Sequence, residues 1–390
     1  MSDAPPVAGK NPIKALADFG QSVWLDYIKR DLIVGGGLQR LVEQDGVTGL
    51  TSNPAIFEKA IATGSEYDDL LVPLAQKGLS AEAIYERLAV RDIQEVADVL
   101  RPVYDRTQHR DGFVSLEVSP RLAQQTETTV SEAIRLWEMV DRPNLMIKVP
   151  ATPAGIPAIR ALIAEGVNVN VTLLFSRIYY EQAVLAYLDG LEARVIRGQD
   201  VSRIASVASM FVSRIDTAVD KVLDDKAQFR EKKFPADAVR LRQLKGKAAV
   251  ANSRLAYRRY GELFSSERWR MLLTRGGWPQ RLLWGSTGTK NPSYSDVIYV
   301  DELIGFETVN TLPPATLEAF RDHGRPRPSL TENVGDAEEV VRTLIAEGIS
   351  LHEITDRLLV DGVRLFAEAY DKLLAAIAAR AEQARAGRVS

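Results

Sequence analysis

One lysine, Lys148, stands near the end of the apolar segment 144–150, which reads Asn-Leu-Met-Ile-Lys-Val-Pro. A short aliphatic run that stops at proline is typical of a buried strand, where an unpaired ammonium is costly. Burial disfavours the charged form of a lysine, and the free amine can attack a carbonyl carbon. The segment therefore predicts a lysine nucleophile that forms a Schiff base.

Two carboxylates occupy similar places in other short segments. In 113–118 and 23–26, aliphatic residues alternate with polar ones, so Glu117 and Asp26 point away from the aliphatic face, as Lys148 does. The chain has no cysteine and three histidines, so proton transfer would fall to these carboxylates. A buried lysine together with two carboxylates is the set of reacting groups that a Schiff-base aldolase uses. The alternative is a purely structural ion pair between Lys148 and Glu117.

The elements that carry these residues indicate a parallel barrel. A fourth segment, 167–172, alternates valines with Asn168, Asn170 and Thr172. Strands with one aliphatic face, separated by helical segments at intervals of about 25 to 30 residues, are typical of β-α-β units. An antiparallel sheet would show the same alternation, but the long helical segments count against it. We expect an α/β fold, a (β/α)8 TIM barrel, whose inward residues converge at the carboxyl ends of the strands.

The rest of the chain fits one such barrel with additions. We expect a single domain over residues 1–390, with helical insertions at about 55–110 and 215–280 and a C-terminal helix at about 351–380. Further strands are predicted at 204–211, 281–286 and 306–310. The first eleven residues are expected to form a loose arm, and the chain after Ala379 is expected to fray.

Other polar residues follow predicted strands. Thr51, Ser52 and Asn53 end the strand 47–52 and would crowd the barrel mouth as hydrogen-bond donors and acceptors. Arg214 opens a helix, where a basic side chain beside free backbone N–H groups favours an anion. Ser286 and Lys290 belong to a loop after the seventh strand, a position where barrel enzymes often bind phosphate.

Composition excludes several classes of protein. Lys and Arg total 49 against 52 Asp and Glu, a net charge of −3, so the balance does not favour nucleic acid or an anionic membrane. The missing cysteines and scattered histidines argue against metal sites and disulfides. The polar amino terminus lacks the apolar core of a signal peptide, and no apolar run is long enough for a bilayer. We therefore expect a cytoplasmic protein without a cofactor or metal.

Six segments, in order, resemble transaldolase. They are 24–26 (Trp-Leu-Asp), 49–54 (Gly-Leu-Thr-Ser-Asn-Pro), 114–118 (Val-Ser-Leu-Glu-Val), 147–152 (Ile-Lys-Val-Pro-Ala-Thr), 168–176 (Asn-Val-Asn-Val-Thr-Leu-Leu-Phe-Ser) and 211–214 (Phe-Val-Ser-Arg). The resemblance implies a class I aldolase barrel of the non-oxidative pentose phosphate pathway. Such an enzyme moves a dihydroxyacetone unit from sedoheptulose 7-phosphate to glyceraldehyde 3-phosphate, which gives erythrose 4-phosphate and fructose 6-phosphate.

The resemblance also implies roles for individual residues. Lys148 would form the Schiff base, Asp26 would act as acid and base at the reacting hydroxyl, and Glu117 would move protons through a water held with Thr172. The groups that would hold the substrate hydroxyls and phosphate are Asn53, Asn170, Ser209 and Arg214. Lys290 stands near the place where familiar bacterial relatives carry an arginine.

Two other functions remain open. Fructose-6-phosphate aldolase resembles the chain around the lysine but has tyrosine where Phe211 stands, so Phe211 favours transfer of the three-carbon unit over its release. A non-catalytic barrel that binds sugar phosphates would keep Arg214 without needing Lys148. The sequence gives no oligomeric state.

Overall fold

The computed structural model describes residues 11–62 and 65–386. Eight parallel strands close into a barrel in which each strand pairs with the next along the chain and the last pairs with the first. The strands are β1 Gln21–Asp26, β2 Val47–Thr51, β3 Phe113–Glu117, β4 Leu145–Pro150, β5 Val169–Leu174, β6 Ser206–Phe211, β7 Arg281–Gly285 and β8 Thr308–Leu312. The predicted (β/α)8 TIM barrel is confirmed. The predicted arm lies outside the described residues, apart from residue 11.

Helices surround the barrel and follow its strands. They are α1 Pro12–Ala15, α2 Arg30–Val34, α3 Gly37–Arg40, α4 Pro54–Ala62, α5 Asp68–Gln76, α6 Ala81–Arg106, α7 Thr126–Val140, α8 Gly155–Glu165, α9 Arg177–Ile196, α10 Ser213–Arg230, α11 Pro235–Gln243, α12 Ala248–Leu263, α13 Glu267–Leu273, α14 Ile298–Asp301, α15 Pro314–His323, α16 Val334–Ala346 and α17 Leu351–Arg385. Within 11–62 and 65–386, none of these helices is long and apolar enough to cross a membrane.

The alternation of side chains separates the core into two layers. On β4, Leu145, Ile147 and Val149 belong to the large core between strands and helices, whereas Met146 belongs to a second cluster. That second cluster fills the amino-terminal half of the barrel with side chains from six strands: Trp24, Phe113, Met146, Val207, Leu283 and Val309. Each fully buried side chain of this kind stabilises the fold by about 1.5–3 kcal/mol. The outward and inward faces are those that the alternation predicts.

Trp24 fits inside the barrel because its neighbour on β2 is glycine. A Cβ atom at Gly49 would lie 2.5 Å from three atoms of the indole ring. The indole nitrogen donates a hydrogen bond to the carboxylate of Asp111 at 2.8 Å. Beneath it, Arg281 donates to the Ser22 hydroxyl at 2.7 Å. Apolar packing and this polar network together close the amino-terminal end.

Three strands begin two residues later than predicted, and one of them is β6, which begins at Ser206 instead of residue 204. β5 begins at Val169 instead of residue 167; just before it, the Asn168 side chain donates hydrogen bonds to the carbonyl oxygens of Pro143 and Leu145 at 3.1 and 3.0 Å. β8 begins at Thr308 instead of residue 306, because Glu307 has a left-handed φ of 57°, which a strand does not accommodate.

The expected fraying after Ala379 is wrong. Helix α17 continues to Arg385, beyond the predicted end near residue 380. Arg380 bonds the Asp68 carboxylate and the Ile61 carbonyl oxygen. Arg385 donates to the carbonyl oxygen of Ala75 at 2.9 Å. Composition predicts the helix but cannot reveal these long-range anchors.

Candidate active site

The side chain of Lys148 lies inside the barrel, on β4 between β3 and β5. Lys148 pairs with Glu117 on β3 and with Asn170 on β5. The side-chain nitrogen donates a hydrogen bond to the Ser52 carbonyl oxygen at 2.9 Å and lies 3.5 Å from the Glu117 carboxylate. The Lys148 and Glu117 side chains are only 6% and 5% exposed. The structure thus brings the two predicted residues together.

Glu117 is poised to exchange a proton near neutral pH. Burial raises the pKa of its carboxyl to about 7, although the positive charge of Lys148 opposes this rise. Its Oε2 atom, which lies 3.5 Å from the Lys148 nitrogen, and the Thr172 hydroxyl are both buried, and neither has a hydrogen-bond partner among the described residues. Buried polar atoms without protein partners commonly hold an ordered water. This arrangement fits the expected Glu117–water–Thr172 group.

Asp26 lies at the end of β1 in a separate hydrogen-bonded group. Its carboxylate accepts a hydrogen bond from the Thr51 hydroxyl at 2.8 Å, and that hydroxyl lies 2.7 Å from the Thr311 hydroxyl. Burial raises the pKa of Asp26, while the charge of Lys148 opposes the rise. Thr51 therefore fixes the carboxylate. The sequence does not predict Thr311 as a site residue, because the predicted strand 306–310 ends before it.

A row of polar side chains crosses β5 and its neighbours. Ser209 donates to the Asn170 side-chain oxygen at 2.6 Å, and the Asn170 amide donates to the Ser115 hydroxyl at 3.0 Å. The Ser52 hydroxyl donates to the Ser115 carbonyl oxygen at 2.8 Å. Sequence reasoning missed Ser115, although alternation two residues before Glu117 points it inward. The Ser52 hydroxyl is engaged within the protein, so this residue acts through its backbone carbonyl.

Asn53 connects the site to helix α4. Its side-chain oxygen accepts a hydrogen bond from the Ile56 backbone N–H at 3.0 Å, as an N-cap residue does. The cap orients the side chain and leaves the amide nitrogen to contact a ligand.

An aromatic wall and an arginine lie at the mouth. The Phe211 ring lies 5.3 Å from the Phe175 ring and 6.5 Å from the ring of Phe366 on α17. The Arg214 guanidinium lies 5.7 Å from the centre of the Phe211 ring. Among the described residues, Arg214 has no hydrogen bond or ion pair, and burial lowers its pKa. A desolvated guanidinium without a carboxylate partner is suited to an anionic ligand.

The loop after β7 joins the mouth beside Arg214. Ser286 has a left-handed φ of 53°, and its hydroxyl lies 3.1 Å from the Ser213 hydroxyl. The Ser213 backbone N–H also donates to the Ser286 carbonyl oxygen at 3.1 Å. Lys290 is exposed, and it borders a cavity with Asp216. Its charge, like that of Lys148, opposes the rise that burial causes in the pKa of Asp26. Ser286 therefore fastens the loop that carries Lys290.

The site contains the parts of an amine-based carbonyl reaction. It combines a buried amine, a carboxyl that titrates near neutrality, a second carboxylate, and a cation at the rim. In the described ranges, no group of three or more His, Cys, Asp and Glu residues could hold a metal ion.

Comparison with known proteins gives the same assignment. Residues 23–377 match the family described as Transaldolase/Fructose-6-phosphate aldolase. A transaldolase of Thermobifida fusca is 48% identical over 94% of this chain and 98% of its own length. Those of Saccharopolyspora erythraea and Trichodesmium erythraeum are 46% and 44% identical over 96% and 93% of the chain, and over 98% and 96% of their own lengths. The chain belongs to the transaldolase/fructose-6-phosphate aldolase family.

Proposed function

We propose that the protein is a transaldolase, a transferase that acts through a Schiff base at Lys148. It moves a dihydroxyacetone unit from sedoheptulose 7-phosphate to glyceraldehyde 3-phosphate, in the non-oxidative pentose phosphate pathway. The observation that carries the proposal is the buried Lys148 nitrogen, 2.9 Å from the Ser52 carbonyl and 3.5 Å from the Glu117 carboxylate. Its place in a family with transaldolase relatives supports the reaction class.

The first step joins substrate and enzyme. Glu117 takes a proton from the Lys148 ammonium, and the free amine attacks the ketose carbonyl carbon. The carbinolamine then loses its hydroxyl as water, with the proton returned from Glu117 through a water beside Thr172. A carboxyl whose pKa is about 7 can perform both transfers near neutral pH.

The second step breaks the carbon–carbon bond. Asp26 accepts the proton of the substrate hydroxyl next to that bond, and the bonding electrons move into the iminium to form an enamine. The first aldose phosphate then leaves. An incoming aldehyde is attacked by the enamine carbon, and Asp26 returns its proton to the new oxygen. Hydrolysis of the Schiff base releases the second ketose.

Binding groups surround the path of the sugar. The Asn53 amide, Asn170 and Ser209 hold the hydroxyls of the three-carbon unit. Arg214 binds the phosphate, with Lys290 approaching from the β7 loop. Because sugar phosphates are charged and stay within the cytoplasm, the proposal also places the protein there.

Phe211 favours transfer over the aldolase alternative. Its ring is packed by Phe175 and Phe366 and carries no hydroxyl that could protonate the enamine. The enamine would therefore persist until an aldehyde arrives. A non-catalytic barrel would have no need of a buried carboxylate 3.5 Å from Lys148.

The decisive experiment traps the covalent intermediate. Borohydride reduction in the presence of fructose 6-phosphate should attach a dihydroxyacetone-derived group to the peptide that contains Lys148, as located by mass spectrometry. A coupled assay with erythrose 4-phosphate should show transfer in the same preparation. An adduct on any other lysine would contradict the mechanism.

A further inference from the structure

Arg177 is a partly buried arginine that lines a cavity outside the candidate active site. It begins α9 directly after β5, whereas Arg214 lies at the start of α10 after β6, and each follows a serine. Within residues 11–62 and 65–386, Arg177 has no hydrogen bond or ion pair. Burial lowers its pKa, as it lowers that of Arg214. A desolvated cation without a partner is costly, so this position favours an anionic ligand.

The cavity is large enough for a small metabolite. It has a volume of about 350 Å³ and lies between the start of α9, the middle of α12 and the start of α17. Besides Arg177, its lining includes Arg258, Arg259, Asn252 and His352. A volume of this size falls within the range of small-molecule sites.

The carboxylates in the wall do not neutralise Arg177. Glu181 and Glu262 both pair with Arg259, each at 2.6 Å. Arg258 pairs at 2.5 Å with Glu338, which is outside the lining, and its like charge lowers the pKa of Arg177 further. The cavity therefore presents an uncompensated guanidinium.

We propose that this cavity is a second anion site, which binds the phosphate group of inorganic phosphate or of a sugar phosphate through Arg177. The buried Ser176 hydroxyl, which accepts a hydrogen bond from the Ile178 N–H at 3.1 Å, has a hydrogen to donate to the same anion. The choice of phosphate rests on the proposed function, whose substrates are phosphorylated. The site is separate from the Arg214 site, so it allows a phosphate compound to bind without competing for the catalytic pocket.

Binding of inorganic phosphate to the full chain tests the site. Calorimetric titration at constant ionic strength should find two sites in the unmodified protein, one in Arg177→Ala, one in Arg214→Ala and none in the double variant. Arg177→Ala should keep kcat and KM within about twofold, because Arg177 takes no part in the proposed reaction. Arg87→Ala, which removes an exposed arginine of α6, is the matched control and should retain both sites.

The ligand source is distinguished in the Arg214→Ala background. There, glucose 6-phosphate binding more tightly than inorganic phosphate would identify a sugar phosphate, and equal affinities would identify inorganic phosphate. Arg177→Lys keeps a positive charge and should bind phosphate more weakly, which provides a folded variant if alanine disturbs the cavity. Two phosphate sites in Arg177→Ala, or a single site in the unmodified protein that Arg177→Ala leaves intact, would overturn the proposal. Failure of Schiff-base trapping alone would refute the proposed function and leave this site standing.

Discussion

The side-chain nitrogen of Lys148 on β4 donates a hydrogen bond to the backbone carbonyl oxygen of Ser52, 2.9 Å away in the segment after β2, although β3 separates the two strands in the barrel. A backbone acceptor cannot be removed by substitution and does not compete for protons at neutral pH. It orients the amine, while the Glu117 carboxylate at 3.5 Å is the partner that can take a proton. The Ser52 contact thus positions the amine, and the Glu117 contact serves proton transfer.

Replacing Lys148 with alanine should abolish the reaction. Without the amine there is no Schiff base, so kcat should fall by at least about a thousandfold and no borohydride-trapped adduct should form. Lys290→Ala is the control, because it removes an exposed lysine near the mouth and should still give the adduct. Trapping in Lys148→Ala would refute the assignment.

Replacing Arg214 with alanine should weaken substrate binding. A cation that contacts phosphate equally in the ground and transition states changes KM rather than kcat, so we expect KM for fructose 6-phosphate to rise about tenfold to a hundredfold. Steady-state kinetics with Arg87→Ala alongside would check this. If KM is unchanged, the phosphate must bind elsewhere.

Phe211→Tyr should increase the release of free dihydroxyacetone. A hydroxyl on this ring can protonate the enamine, so release without acceptor should rise by roughly tenfold or more. Phe211→Leu removes the ring without adding a donor and should not increase release. Release in the unmodified protein that equals its rate with erythrose 4-phosphate would identify an aldolase.

Glu117→Gln should change how stability depends on pH. The pKa of Glu117 rises from 4.5 to about 7 on folding, so the folded protein keeps a proton that the unfolded chain loses between these values. This carboxyl therefore lowers the free energy of unfolding as pH rises through that interval, by about 3 kcal/mol in all.

Urea denaturation across pH 4.5 to 7 would measure this effect. Relative to the unmodified protein, Glu117→Gln should gain stability as the pH rises. Glu267→Gln, which changes an exposed residue at the start of α13, should follow the unmodified protein. Parallel curves for Glu117→Gln and the unmodified protein would show that the carboxyl is not desolvated.

Gly49→Ala should destabilise the barrel. The added Cβ would lie 2.5 Å from the Trp24 ring, an overpacking that costs about 1–3 kcal/mol of unfolding free energy. Gly261→Ala in α12 meets nothing within 4 Å and should raise stability by about 0.5–1 kcal/mol. Equal effects of the two substitutions in urea denaturation would mean that Trp24 can move aside.

The barrel and its reacting groups were predictable because they depend on local patterns. Two-residue alternation placed Lys148, Glu117 and Asp26 on the inner face, and the structure has them at the carboxyl ends of β4, β3 and β1. The alternation also predicts that Leu145, Ile147 and Val149 of β4 face the surrounding helices, as they do. These features arise from the geometry of single strands.

Features that depend on distant contacts escaped prediction. Thr311 contacts Thr51 across 260 positions of sequence, and the shift of β8 depends on the single left-handed residue Glu307. The end of α17 depends on Arg380 meeting α5 across the fold. No local pattern encodes such pairings, since each partner is ordinary in its own segment.

The closed amino-terminal end of the barrel has a kinetic consequence. Trp24 and its neighbours fill that half, so substrates reach Lys148 through the opening of the barrel beside Phe211 and Arg214. The departing aldose and the arriving aldose must then pass through the same opening, and they cannot both be bound at the reacting position. Two-substrate kinetics should follow a ping-pong order, with parallel lines in double-reciprocal plots, because the barrel binds one aldose at a time.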